Sequence, residues 1–257
     1  MSPAILRAIA GNTVRELVRS KLLYNLLLFA VLLIAGSLFV SELTIADFDR
    51  IIIDLGLVAI ELVGALLAVL IGVSVVAGEV ERRTIFPTLA KPISRASFLL
   101  GRYAGLLFVL VLNVLVMLGA LALVLRLASF SLTPTAAAAA ALIAIELAVL
   151  AAMAIFFASF TTPILAAAFS FSFFLIGHLL TDVRAYGTRT KSESTRLLTA
   201  AVYRALPDLE LFNLKWHAAN KLPVPAGLMT SAALYGLWYT AALLLLAIAV
   251  FNRRDLK

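Results

Sequence analysis

Six long apolar runs constrain this chain more than any other feature. They lie at about residues 22–40, 55–77, 103–125, 136–158, 164–180 and 230–251. Each approaches the roughly 20 residues that cross about 30 Å of hydrocarbon at 1.5 Å per residue. Lipid cannot hydrogen-bond bare backbone groups, so these runs are expected to be helices. Composition agrees. Only 14% of residues are charged and 63% are hydrophobic, whereas soluble domains carry about 25% charged residues. The expected fold is an all-α polytopic membrane protein. It has six transmembrane helices, an N-terminal interfacial helix over residues 1–21, and both termini in the cytoplasm. Residues 1–257 form a single transmembrane domain.

Lys and Arg near the span ends set the expected orientation. One side carries Arg7, Arg15, Arg19, Lys21, Arg82, Arg83, Lys91, Arg95, Arg102, Arg253, Arg254 and Lys257. The short loops on the other side carry Arg50 and Arg126, beside Glu42, Asp47, Asp49 and Asp54. The basic side is therefore cytoplasmic, and it holds both termini. Residues 181–229 fall outside with seven basic residues, but a segment that long obeys the charge rule weakly. The net charge of +7 is thus a topology signal and not a sign of nucleic-acid binding.

Residues 2–20 do not read as a cleavable signal, because the apolar run starts too late. Ile5, Leu6, Ile9, Ala10, Thr13, Val14, Leu17 and Val18 share one helical face, and Arg7, Arg15 and Arg19 share the other. That pattern predicts an amphipathic helix on the inner leaflet, in contact with membrane lipids. The Ala136–Ala141 run predicts a packing surface, and Gly101 with Gly105 forms a small-xxx-small pair. In the outer segment, 194–206 predicts a helix ended by Pro207, and Trp216 suits the membrane–water boundary.

The chain contains no GxxxxGK[ST] loop, HExxH, GxSxG or paired-carboxylate cluster, so nucleotide hydrolysis by this chain and hydrolase chemistry are not expected. It lacks Cys, which excludes disulfides and thiolate metal sites. Two His and four Met, scattered, give no metal-ligand pattern, and no metal site is expected. The charged stretch 78–102 is too short to be a domain, yet bilayer spans tie it down at both ends. Glu79, Glu81, Arg82 and Arg83 can make charge-assisted bonds to a soluble partner. Phe86 and Leu89 offer apolar anchors, Pro92 stiffens the exit, and Thr84 can cap a helix end.

Glu79, Glu81, Arg83, Thr84, Leu89, Pro92, Ser94, Arg95, Phe98, Leu99 and Gly101-Arg102 resemble a pattern of ABC-2 type transporter permeases, in particular of the NosY-like group. Leu206-Pro-Asp-Leu-Glu-Leu-Phe-Asn213 and Phe251-Asn-Arg-Arg-Asp255 are similar to the same group. Arg102 stands where Lys is usual, and Phe86-Pro87 puts a proline inside the loop helix. The resemblance implies a half-transporter in a bacterial or archaeal inner membrane. Such a chain pairs with a second copy or a paralogue, and each copy docks on a separate ABC ATPase subunit that binds ATP and Mg. This chain then needs no cofactor of its own. The loop would act as the coupling helix, with Glu79, Glu81, Arg82, Arg83, Thr84, Phe86, Leu89, Pro92 and Arg95 as its ATPase-facing residues.

Four polar side chains within the spans are candidates for a functional role. Asn113 and Glu146 sit near the middles of spans three and four, where an antiparallel hairpin can bring them to one depth. They are expected to bond each other or to line the permease interface. A lipid-facing ionised Glu there would cost roughly 2.5–3.5 kcal/mol, so Glu146 is expected to be protonated, paired or turned inward. Glu61 in span two and His178 near the outer end of span five are a second candidate pair.

Three functions compete. An ATP-driven exporter uses the 78–102 loop. A gradient-driven secondary transporter needs midplane charges and repeated halves with broken helices, and only Glu146 fits. A force-transmitting scaffold needs neither. The sparse polar lining of the spans points to apolar or amphiphilic cargo.

Overall fold

The computed structural model describes residues 3–42, 47–81, 94–190 and 192–253. The described residues are helical apart from short connections, and no strand occurs among them. In chain order the helices are α1 (Pro3–Val18), α2 (Lys21–Glu42), α3 (Phe48–Glu81), α4 (Arg95–Leu127), α5 (Pro134–Ala158), α6 (Pro163–Arg189), α7 (Glu193–Ala205), a 3-10 turn (Leu209–Phe212), α8 (Lys215–Ala219) and α9 (Leu228–Arg253). Six of them, α2 to α6 and α9, are long and apolar enough to cross a membrane. The chain is a multi-pass membrane protein.

Local chemistry sets the span ends. Thr133 caps α5 by accepting from the Ala136 N–H at 3.1 Å, and Pro134 follows it. Pro163 likewise opens α6. Proline suits the first turn because its missing N–H has no intrahelical partner there anyway. Ser94 caps α4 by accepting from the Ser97 N–H at 3.2 Å. Several helices run past their apolar windows. α3 begins at Phe48 and α6 continues to Arg189, because charged residues beyond the lipid do not prevent helix continuation.

The core is the α3–α5 pair. The most apolar windows of these helices are 78% and 72% buried, against 22–28% for α2, α6 and α9, which leave most of their surface outward. Ala136, Ala139 and Ala140 are buried where α5 packs on its neighbours. Small side chains let helices approach closely, which is the main source of packing energy where lipid competes for apolar contact. α9 packs on α5, and α2 packs on α3.

Spans that alternate in direction define two faces. The terminal face holds α1, the start of α4 and the end of α9. The far face holds the α4–α5 turn and residues 193–219. α1 lies against the start of α4, and Thr13 and Leu17 are buried there. Gly105 permits this approach: a Cβ would stand 2.7 Å from both the Ala10 oxygen and Thr13 Cβ. Buried Arg102 then reaches Glu16 at 2.5 Å, with its guanidinium over the Phe98 ring.

Candidate functional site: a buried ionic cluster

Four elements bring charged side chains together inside the bundle. Glu61 comes from α3, Glu146 from α5 and His178 from α6; Glu210 and Lys215 come from the segment that folds over the far face. Counted from the α5–α6 turn, Glu146 stands about 18 Å up α5 and His178 about 22 Å up α6 at 1.5 Å per residue. They share a depth to within one turn. α6 continues to Arg189, so His178 is well inside its helix and not near its end.

His178 is the hub. Its Nε2 lies 2.9 Å from Glu146 Oε1 and 3.2 Å from Glu61 Oε1. Its Nδ1 lies 3.3 Å from Glu210 Oε2. Lys215 Nζ pairs with the other oxygen of Glu61. Asn213 Nδ2 donates to Glu210 Oε1 at 2.7 Å. The Phe174 ring stands edge-on to the imidazole, with centroids 4.9 Å apart, and walls one side. Glu146 has no exposed surface, and its Oε2 has no hydrogen-bond partner among the described residues. At Glu210, burial raises the carboxyl pKa, but bonds to His178 and Asn213 outweigh it and hold the group below its usual range.

The local sequence explains how Glu210 arrives. Leu209 and Phe212 are buried, and they draw the 3-10 turn onto the bundle with Glu210 between them. Gly177, next to His178, makes room: a Cβ there would stand 2.6 Å from Leu209 Cγ and 3.1 Å from the Pro207 oxygen. Further ties hold the segment. Thr135 donates to the Leu222 oxygen at 2.9 Å, the Asp208 N–H donates to Tyr235 Oη at 2.9 Å, and Lys221 pairs with Asp49.

The structure thus brings Glu61, Glu146 and His178 into one group. It does not join Asn113 to Glu146. Glu146 is taken by His178, because α5 is rotated so that this carboxylate faces α3 and α6 and not α4. Asn113 is buried, with its Oδ1 unpartnered among the described residues. Glu210 and Lys215 carried no role in the sequence reading, although Glu210 falls inside the Leu206–Asn213 stretch. The available signal was an acid flanked by Leu209, Leu211 and Phe212, a context that draws it onto the bundle.

Of the loop residues, Glu79 and Glu81 are in the last turn of α3. Arg82, Arg83, Thr84, Phe86, Leu89 and Pro92 lie outside the described residues. Arg95 is engaged at the terminal face: Nη1 donates to the Phe251 oxygen at 2.8 Å and the Asn252 oxygen at 3.2 Å. A cation is favourable there, because the last carbonyls of a helix lack intrahelical partners.

A helical bundle of six apolar spans with an ionic core defines a multi-pass membrane protein. The family model described as ABC-2 family transporter protein matches residues 7–256, and the chain belongs to that family. Permeases of this family generally work with an ABC ATPase subunit and are themselves non-catalytic. No curated protein matches the chain significantly.

Proposed function

We propose that this permease subunit exports an apolar or amphiphilic substrate, driven by a separate ATPase that docks on residues 78–102. The family match across residues 7–256 carries this reading. The sequence supplies the rest: it has no nucleotide-binding loop, and it has a charged segment between α3 and α4 with the ABC-2 pattern. Its likeness to the NosY-like group belongs to this reading as well. Donor chemistry argues against copper as cargo, since soft thiolate and thioether ligands are absent or sparse.

In this account the terminal face is cytoplasmic, in a bacterial or archaeal inner membrane. α1 lies at the inner leaflet with Arg15 and Arg19 toward anionic head groups. Two copies, or this chain and a paralogue, form the permease. Glu79, Glu81, Arg82, Arg83, Thr84, Phe86, Leu89 and Pro92 contact the ATPase. Arg95 couples the loop to the end of α9 through the Phe251 and Asn252 carbonyls. The ATPase can drive the permease only if the loop contacts its two nucleotide states differently. Glu146 has no exposed surface, so it acts through the packing of α3, α5 and α6 and not by touching a second copy.

A gradient-driven carrier is the second reading. The ionic cluster at membrane depth favours it, since such residues mark ion pathways. Reconstitution into proteoliposomes with the cognate ATPase separates the two. The exporter reading requires substrate movement that follows ATP and disappears in the Glu81→Ala/Arg83→Ala double variant. Movement that follows an imposed proton gradient and ignores that variant overturns it.

A further inference from the structure

We propose that Glu61, Glu146 and His178 form a binding site for one divalent first-row metal ion of the zinc or manganese kind. Their ligand atoms all lie within 4.8 Å of one another. Tetrahedral ligands about 2.0–2.1 Å from a zinc ion stand roughly 3.3 Å apart. The His178 Nε2 distances to Glu146 and Glu61, 2.9 and 3.2 Å, are close to that spacing.

The second observation is the use of the other histidine nitrogen. Nδ1 faces Glu210 Oε2 at 3.3 Å, and Asn213 fixes Glu210 from behind. A metal-bound histidine typically donates its distal N–H to a carboxylate, which fixes the tautomer and leaves the other nitrogen as a lone pair. In that tautomer the Nε2 lone pair would point straight at two carboxylate oxygens. A cation bound between them, in place of a proton on Nε2, would relieve that repulsion.

The third observation concerns charge. With His178 neutral in that tautomer, Glu61, Glu146 and Glu210 set three carboxylates against the single ammonium of Lys215. Two negative charges are left over in a pocket of low dielectric, where uncompensated charge is costly. A divalent ion neutralises them. Lys215 does not occupy the position, because it is fastened to the other oxygen of Glu61. Glu146 Oε2 is fully buried and unpartnered among the described residues, so the carboxylate has a free lone pair for a second bond to the ion. Carboxylate and imidazole ligands suit zinc or manganese, while the softer Cu(I) prefers sulfur. The bound ion would fasten α3, α5 and α6 to the segment that carries Glu210. This inference does not depend on what drives the permease.

Metal analysis of the tag-free, full-length protein in detergent tests it. The protein is stripped with chelator, dialysed against Zn2+ or Mn2+ at micromolar free concentration, and assayed by mass spectrometry of the metal. The expected result is one ion per chain, lost in Glu146→Gln and His178→Ala. Glu210→Gln touches only the distal nitrogen, so it should keep the ion with about 10–100-fold weaker affinity. If the first two variants do not fold, Glu210→Gln decides: unchanged affinity overturns the proposal. Wild-type protein without stoichiometric metal overturns it too, as does full retention in Glu146→Gln and His178→Ala.

Discussion

His178 joins α6 to a carboxylate with no exposed surface at the middle of α5: its Nε2 stands 2.9 Å from Glu146 Oε1. This contact crosses between helices inside the region that faces lipid from outside, where an unpaired polar group has no water to turn to. The pair is therefore expected to couple strongly. Single and double replacement of Glu146 and His178 by Leu, followed by thermal unfolding in detergent, should give a coupling energy of about 0.5–3 kcal/mol. Additive effects would mean that the two side chains do not meet.

Gly177 controls how closely the far-face segment sits. Gly177→Ala should destabilise by about 1–3 kcal/mol, because the new methyl meets Leu209 and the Pro207 oxygen and overpacking of that kind forces backbone shifts. Gly119→Ala is the control. Nothing lies within 4 Å of a Cβ there, so the change should be neutral or stabilise α4 by up to about 1 kcal/mol. Melting temperatures of the two variants should move in opposite directions, or only the first should fall.

Docking of α1 rests on Arg102 and on the bare backbone at Gly105. Arg102→Ala removes a charge-assisted bond to Glu16, of a type worth about 1.5–3 kcal/mol. Gly105→Val closes the space that Thr13 occupies. Both should raise hydrogen exchange in α1 while leaving α5 protected. Unchanged exchange in α1 would show that the helix is held some other way.

At the start of α4, Ser94→Ala removes the cap and should cost about 1 kcal/mol. Arg95→Ala frees the carbonyls at the end of α9 and should increase exchange in its last turn, with little change at Ser94. The two effects are separable because one acts on N–H groups of α4 and the other on C=O groups of α9.

The six spans were legible because membrane crossing is written along the chain as length and hydropathy, and neither depends on tertiary structure. The apolar face of α1 was legible for a similar reason, and Thr13 and Leu17 on that face are buried. The partner of Glu146 was not. A polar partner at a given depth depends on how each helix is rotated about its axis, and α5 is apolar almost all round. Sequence adjacency pointed to Asn113 on the preceding helix, whereas the packing of α5 turned Glu146 toward α3 and α6. Glu210 and Lys215 were hidden for another reason. They reach the cluster only because the outer segment folds back onto the bundle through Leu209, Phe212 and Gly177. Arg95 looked like a loop charge because nothing near it in sequence announces the end of α9.

The central claim is that this permease works with a separate ATPase through residues 78–102. Purification in mild detergent, followed by mass spectrometry of whatever accompanies the chain in stoichiometric amount, tests it most directly. The account predicts a soluble protein with a GxxxxGK[ST] loop, lost when Glu81 and Arg83 are both replaced. A chain that purifies alone, under conditions that preserve a known ATPase–permease complex, would contradict it.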